Sequence, residues 1–167
     1  MILRISDDLA RKIKDRPTRV LPLDRNPYAD WSTRLFAESR TQYIMITNTV
    51  SLYTMVMFGA GIHDALTFTS RVTSYISEFT RADGFELIYE RLISPSTLHV
   101  SFSKALNRRV TGSMNDLEFQ AKIILARGTV SPWDVSLTLN EIPFSYLKYN
   151  GPRVEFHRMG LETGVSN

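Results

Sequence analysis

The chain has 167 residues and a net charge of +3; 43% of its residues are hydrophobic and 22% are charged. This length is typical of one globular domain, which buries about 70% of its unfolded surface and needs no metal or disulfide for stability. Because the sequence contains no cysteine, a disulfide framework, a thiolate zinc site and a cysteine nucleophile are excluded.

Four segments in the first half of the chain have the apolar content or alternation of β-strands. They are residues 2–6, 35–38, 42–47 and 52–58. Asp7 or Asp8 is predicted to cap a short helix over residues 9–13, and residues 16–30, with three prolines, are predicted to form a long loop. We find no signal-peptide pattern and no membrane-length apolar segment, so a cytoplasmic protein without membrane contact is expected.

Helical patterns dominate the second half. Four helices are predicted, over residues 63–80, 83–94, 114–126 and 131–142, with one strand over residues 98–103. Asp83, Ser113 and Ser131 are the predicted caps of the last three helices. Strands followed by helices indicate an α+β fold, with a mainly antiparallel sheet of about 4–6 strands and helices packed mostly on one face. Residues 1–157 are predicted to form a single domain, and residues 158–167 a C-terminal tail.

The segment from Asn107 to Asp116, Asn-Arg-Arg-Val-Thr-Gly-Ser-Met-Asn-Asp, combines several features of an anion site. The segment is predicted to be a basic loop, and the helix predicted at 114–126 would direct its unpaired N–H groups into that loop. Arginine forks match phosphate and carboxylate groups, and glycine permits close approach of the backbone. The predicted anion- or partner-binding residues are Arg108, Arg109, Gly112 and Ser113, with Asn48 as a weaker addition. The predicted loop-structuring residues are Asn107, Asn115 and Asp116. The alternative is a well-capped helix start with solvated arginines.

No catalytic or metal signature accompanies this segment. The histidines, His63, His99 and His157, never occur at the spacing of a metal-binding helix or finger. The nucleophile-elbow, phosphate-loop and dinucleotide-binding glycine motifs are also absent. Neither a metal nor a cofactor is therefore predicted, no catalytic residue is assigned, and an enzyme is the less favoured class.

At this segment the chain resembles an uncharacterised prokaryotic domain-of-unknown-function family with an Asn-Arg-x-Val-x-Gly-Ser-Met-Asn-Asp signature. Weaker agreements follow in order along the chain: residues 1–4, Asp30-Trp31 with Leu35-Phe36, Thr47-Asn48 with Ser51-Leu52-Tyr53, and Leu139-Asn140 with Pro143. In that family a histidine often follows the tryptophan, whereas this chain has Ser32. The resemblance implies a compact cytoplasmic bacterial domain and no particular activity.

Three functions compete on these observations. The first is a small binding module for an anionic partner, either a nucleic-acid backbone or an acidic protein surface. Tyr28 and Trp31 would then stack on bases, or Trp31 would anchor the long loop to the core. The second is a metal-independent toxin-type ribonuclease, in which Arg108 or Arg109 stabilises the phosphorane charge. The third is an interaction protein, such as an antitoxin or immunity protein, with an interface around residues 146–149 and an oligomeric state that the sequence leaves open.

Overall fold

The computed structural model describes residues 1–162. The strands are β1 (Ile2–Ile5), β2 (Asp30–Glu38), β3 (Thr41–Asn48), β4 (Thr54–Phe58) and β5 (Ser101–Ser103). The α-helices are α1 (Asp7–Ile13), α2 (Ala65–Ala82), α3 (Glu86–Ile88), α4 (Arg108–Leu125), α5 (Pro132–Glu141) and α6 (Pro152–Glu162). Short 3-10 turns lie at Pro27–Ala29, Ser94–Leu98 and Ser145–Leu147, and a π turn lies at Tyr89–Ile93.

The strands form one sheet in the order β4-β3-β2-β1-β5, which confirms the α+β class and the predicted number of strands. β2 pairs antiparallel with β3, and β3 with β4. β1 is parallel to both of its neighbours, β2 and β5. A parallel pair requires a long crossover between its strands. Helix α1 and the predicted proline-rich loop together form the crossover from β1 to β2. The sheet is therefore mixed, but more of its residue pairs are antiparallel than parallel, as predicted.

Helices cover both faces of the sheet, and the prediction that they lie mostly on one face is wrong. Along β3, Ile44 and Ile46 point into a core shared with α1, α2 and α6. Tyr43 and Met45 point into a second core, shared with α4 and α5. Continuous apolar character over four strand residues is typical of a strand buried on both faces, and it is the sequence feature that indicates two cores.

Capping side chains set two of the helix starts. Ser131 caps α5 by accepting a hydrogen bond from a backbone N–H three residues further on, as predicted. Helix α1 begins after Ser6, which is its cap. The prediction that Asp7 or Asp8 caps α1 is therefore wrong. Both carboxylates lie in its first turn, where they complement the positive end of the helix dipole.

The region between α2 and β5 is less regular than predicted. Only the single turn α3 is α-helical, and it continues into the π and 3-10 turns defined above. Asp83 does not start the next helix but is the C-cap residue of α2. Its carboxylate accepts hydrogen bonds from Tyr53 Oη at 2.6 Å and from Arg153 Nε at 3.0 Å. Leu98 is exposed in the 3-10 turn, so β5 begins three residues later than the predicted strand.

Helix α6 is held by a buried aromatic cluster. The ring of Phe156 lies 4.2 Å from that of Tyr53, 4.8 Å from that of Tyr28 and 5.2 Å from that of Phe85. The helix extends to Glu162 with Met159 buried, so residues 158–162 are not the predicted tail. The rest of that tail, residues 163–167, lies outside the described residues.

A buried ion pair fixes the long loop before β2. Arg4 and Asp30 are both fully buried, and the Nε of Arg4 lies 2.7 Å from Oδ1 of Asp30. The guanidinium also donates to the backbone oxygens of Leu21 and Pro22 and to the hydroxyl of Ser103. This arrangement satisfies the buried charge completely and ties the loop to the parallel strands.

Candidate functional site

The motif at 107–116 is helical, not a loop. Helix α4 begins at Arg108, and Asn107 is its cap, accepting a hydrogen bond from the N–H of Val110 at 3.0 Å. The predicted start at residue 114 is therefore six residues too late. Ser113 is not a cap: its buried hydroxyl donates to the backbone oxygen of Arg109 within the helix. Gly112 lies in the second turn, where it makes neither a hinge nor a close approach.

The other residues of the motif lie on different sides of α4. The side chain of Asn115 accepts a hydrogen bond from Arg34 of β2 at 2.6 Å. Asp116 is exposed on the helix, and neither residue structures a loop. Arg108 and Arg109 are neighbours in the first turn, and both are exposed. Since consecutive helical residues point in different directions, only one of these two arginines faces the cleft described next.

Asn48 is a buried turn residue and not a contact residue. Its Oδ1 accepts hydrogen bonds from the N–H groups of Val50 and Ser51 and from the Ser51 hydroxyl. Its Nδ2 donates to the backbone oxygens of Pro27 and Asp30. With no exposed surface and every polar group in use, Asn48 shapes the turn between β3 and β4 and cannot reach a ligand.

Arg109 belongs to a cleft of about 290 Å³ that we call the basic cleft. It is defined by side chains from α4, from the loop between α5 and α6, and from α6 itself: Arg109, Tyr146, Lys148, Glu155 and Arg158. Val50 and Ser51, from the turn between β3 and β4, contribute to its wall. Among the lining residues that the structure describes, three cationic side chains thus face one carboxylate. Arg108 is not among the lining residues.

The cationic groups are positioned by their neighbours. The guanidinium carbon of Arg109 lies 4.6 Å from the centroid of the Tyr146 ring, a cation–π contact that orients the side chain. Arg158 donates to Oε2 of Glu155 at 2.6 Å. Asn150 donates to Oε1 of the same carboxylate at 2.6 Å. Glu155 is therefore a fixed counter-charge that holds Arg158 at the edge of the cleft.

Glu155 stays ionised although it is buried. Burial raises its pKa, but the hydrogen bonds from Arg158 and Asn150, together with the charges of Arg158 and Lys148, outweigh that effect. The net result is a pKa below the ordinary glutamate value of 4.5. A carboxylate with a lowered pKa and both oxygens hydrogen-bonded is a weak proton acceptor.

The loop that carries Lys148 has an unusual backbone. Lys148 and Tyr149 are consecutive non-glycine residues in the left-handed region, with φ values of 54° and 67°. Such conformations cost about 1–2 kcal/mol for each residue. The bridge between Phe144 and Asn150 closes the loop and maintains them. Strain of this kind clusters at functional sites, and here it presents Lys148 at the cleft.

Sequence reasoning found one lining cation, Arg109, and missed Lys148, Glu155 and Arg158. The spacing of Glu155 and Arg158 does permit a contact on one helix face. Nothing local links that pair to Arg109, which lies about 50 residues away along the chain. The aromatic residues named for base stacking are not available either. Tyr28 and Trp31 are fully buried, and Trp31 donates its indole N–H to the backbone oxygen of Tyr28, so it anchors the loop to the core.

Within residues 1–162, no group of three or more histidine, aspartate and glutamate side chains is arranged to hold a metal ion. In the same range, none of the helices combines the length and apolar character that a membrane crossing requires.

The family model described as Domain of unknown function (DUF6933) matches residues 2–155. The chain therefore belongs to this family, and the predicted membership of a domain-of-unknown-function family is confirmed. Searches of curated proteins and of solved structures gave no significant match.

Proposed function

We propose that this protein binds the phosphate backbone of single-stranded nucleic acid at the basic cleft. The observation that carries this proposal is the convergence of Arg109, Lys148 and Arg158 around about 290 Å³, where Glu155 is the carboxylate among the described lining residues. A volume of this size accepts one phosphate group and part of its sugar. Arginine forks bind phosphate oxygens in pairs, and lysine adds a compact charge.

The neighbouring surface favours a single strand over a duplex. Tyr149, the residue after Lys148, has 77% of its surface exposed. An exposed aromatic ring beside cationic groups is typical of proteins that bind single strands, because bases stack on the ring while phosphates contact the cations. The predicted cytoplasmic location and bacterial origin remain predictions, and they would give the protein access to RNA.

The cleft also contains the residue types of a metal-independent ribonuclease: arginines, a tyrosine and a carboxylate. Its geometry favours binding over cleavage. A general base must accept a proton from the attacking hydroxyl, whereas Glu155 already accepts hydrogen bonds at both oxygens and has a lowered pKa. We therefore expect a labelled RNA to remain intact on a denaturing gel after incubation with saturating protein. Cleavage that disappears in the Arg109→Ala variant would instead support the ribonuclease.

Fluorescence anisotropy of a labelled oligo(U) tests the binding proposal. Two to three phosphate contacts to a single strand predict a slope of about −1.4 to −2.1 in a plot of log K against log salt concentration. Arg109→Ala should weaken binding by about tenfold, since it removes a charge-assisted hydrogen bond, and should make the slope shallower by about 0.7.

Arg108→Ala is the matched control. It removes the same charge from the same exposed helical turn, but the side chain it removes does not line the cleft. Equal losses in the two variants would show a diffuse surface charge and would contradict the cleft as the site. If the protein binds no oligonucleotide but binds an acidic peptide tightly, the cleft is a binding site for a protein partner. Tyr146 and Tyr149 would then contribute to the interface, while Leu147 is already buried.

A further inference from the structure

A second cavity lies at the edge of the sheet formed by β4, between α2 and α5, and has a volume of about 520 Å³. We call it the aromatic pocket. Its apolar walls come from Phe58, Tyr75 and Trp133, and its polar lining includes Ser74, Arg71 and Glu78. Apolar and aromatic walls with a few polar groups are typical of small-molecule sites.

The backbone of β4 explains why a ligand could be held here. Alternate residues of an edge strand direct their N–H and C=O groups away from the neighbouring strand. Gly59 donates its N–H to β3, so the residues of β4 at alternate positions, beginning with its neighbour Phe58, direct their backbone groups away from β3. These outward-facing residues are Thr54, Val56 and Phe58. Exposed groups of this kind attract further strands, and proteins commonly cover them.

Side chains of helices α5 and α2 cover the first two of these residues. The carboxamide of Asn140 binds both backbone groups of Thr54: its Oδ1 accepts from the N–H at 2.7 Å and its Nδ2 donates to the oxygen at 2.9 Å. Ser136 accepts from the N–H of Val56 at 2.8 Å, and Tyr75 donates to the oxygen of Val56 at 2.9 Å.

Phe58 is the third residue in this row, and it opens into the aromatic pocket. Among the described residues, no side chain or backbone group hydrogen-bonds its outward-facing N–H and C=O. The Phe58 ring stacks on Tyr43 at 5.5 Å and is 49% exposed. The pocket therefore combines an aromatic surface with an adjacent donor and acceptor.

The opposite wall is rigid. The Trp133 ring packs edge-on against Phe79 at 4.8 Å and against Tyr75 at 5.9 Å. The Tyr75 hydroxyl is fixed by its hydrogen bond to Val56. A preformed aromatic wall of this kind favours a flat ligand, because little conformational entropy is lost when a rigid ring packs against a rigid surface.

We infer that the aromatic pocket binds a planar heterocycle that carries a cyclic amide, whose N–H and C=O pair with the backbone of Phe58. Asn140 shows the same pairing two outward-facing residues back along the strand, since its carboxamide presents a donor and an acceptor side by side to Thr54. The ring of the ligand packs between Phe58 and Trp133, and Arg71 and Glu78 provide charged contacts for its substituents.

The test is a titration of the full chain with 2-quinolone, followed by amide and indole resonances in NMR spectra. N-methyl-2-quinolone is the matched ligand, because it has the same ring system but cannot donate. We expect 2-quinolone to bind with a dissociation constant of roughly 0.1–1 mM, as befits a small fragment. It should shift the amide of Phe58 and the indole of Trp133 while the buried indole of Trp31 stays unchanged. The methylated ring should bind at least about tenfold more weakly, because the oxygen of Phe58 loses its donor.

Two substitutions at Phe58 isolate the backbone contact. Phe58→Ala removes the ring and keeps the backbone N–H. Phe58→Pro removes both the ring and the N–H. Because this N–H makes no hydrogen bond within the sheet, the proline should be tolerated on the edge strand. We expect Phe58→Pro to bind 2-quinolone about tenfold more weakly than Phe58→Ala. Ser74→Leu, at an exposed helix position, should block the pocket without disturbing the core.

Four results would overturn the inference. Equal affinity for the two quinolones, or equal binding by the two Phe58 variants, would show that the backbone pairing plays no part. Shifts confined to residues of the basic cleft would place the ligand elsewhere. Shifts along β4 with an extended peptide, and none with 2-quinolone, would identify the edge as a site for strand addition.

Discussion

Two groups of charged residues in this protein differ in how completely their charges are neutralised by neighbouring groups. Arg4 and Asp30 are fully buried, pair with each other, and direct their remaining polar atoms to the backbone of the long loop and to Ser103. In the basic cleft, three cations and the carboxylate of Glu155 line an open space, as far as the described residues extend.

This difference distinguishes a structural charge from a functional one. A buried charge must be neutralised because its desolvation is costly. The cations of the basic cleft remain solvated, so an excess of positive charge is tolerated there and attracts an anion. Substitutions at the buried pair should therefore change stability, and substitutions at the cleft should change affinity.

The largest expected effect is on the buried pair. Asp30→Asn leaves the guanidinium of Arg4 buried without a counter-charge and should lower the free energy of unfolding by about 3–5 kcal/mol. Urea denaturation followed by circular dichroism measures the change. Asp8→Asn, in the exposed pair of Asp8 and Arg11, is the control and should change stability by less than about 1 kcal/mol. Similar losses in both variants would remove the distinction between the two kinds of ion pair.

Lys148→Gly should change stability and affinity in opposite directions. Glycine adopts the left-handed conformation without strain, so the variant should gain about 1–2 kcal/mol of stability, while the lost cation should weaken oligo(U) binding. Lys148→Ala is the control, since it removes the same charge and keeps the strain. Thermal unfolding together with anisotropy separates the two effects. A gain of affinity in the glycine variant would argue that flexibility, and not the charge, limits binding.

Glu155→Gln should strengthen anion binding by about fivefold at pH 7, because it removes a negative charge that lines the cleft. The wild type should approach the variant in acid. The lowered pKa of Glu155 means that the carboxylate stays ionised until the pH falls below its ordinary value of 4.5. Affinity should then rise as the carboxylate is protonated, and the stability that Glu155 contributes above that pH should be lost. Oligo(U) titrations from pH 6 to pH 3.5 measure the difference, and a parallel pH response in the variant would assign it to another group.

The smallest effect is expected at Gly112, within the motif that first suggested an anion site. A Cβ at this position meets no atom within 4 Å. Gly112→Ala should therefore stabilise α4 by about 0.5–1 kcal/mol and leave oligo(U) affinity unchanged. Chemical denaturation and the anisotropy assay test both parts. Weaker oligo(U) binding by Gly112→Ala would show that the ligand contacts this glycine.

Local chemistry explains which parts of this protein can be predicted from the sequence. The start of α5 is predicted correctly because Ser131, Pro132 and Asp134 are all within one turn of the cap they form. At α4 two capping residues compete, since both Asn107 and Ser113 precede helical sequence. Asn107 is the cap because Val110, Met114 and Leu117 are then all helical and reach the second core. That core contact is tertiary, so the sequence alone favoured the wrong start.

The α+β class, the proline-rich loop and the family membership therefore follow from the sequence, because periodicity, turn residues and motifs are local properties. The parallel pairing of β1, the helices on both faces and the basic cleft are decided by the tertiary structure. Arg109 meets Lys148 and Arg158 only because the Phe156 cluster docks α6 against the sheet. Contacts between residues so far apart depend on the packing of the whole chain, and a single sequence carries no local signal for them.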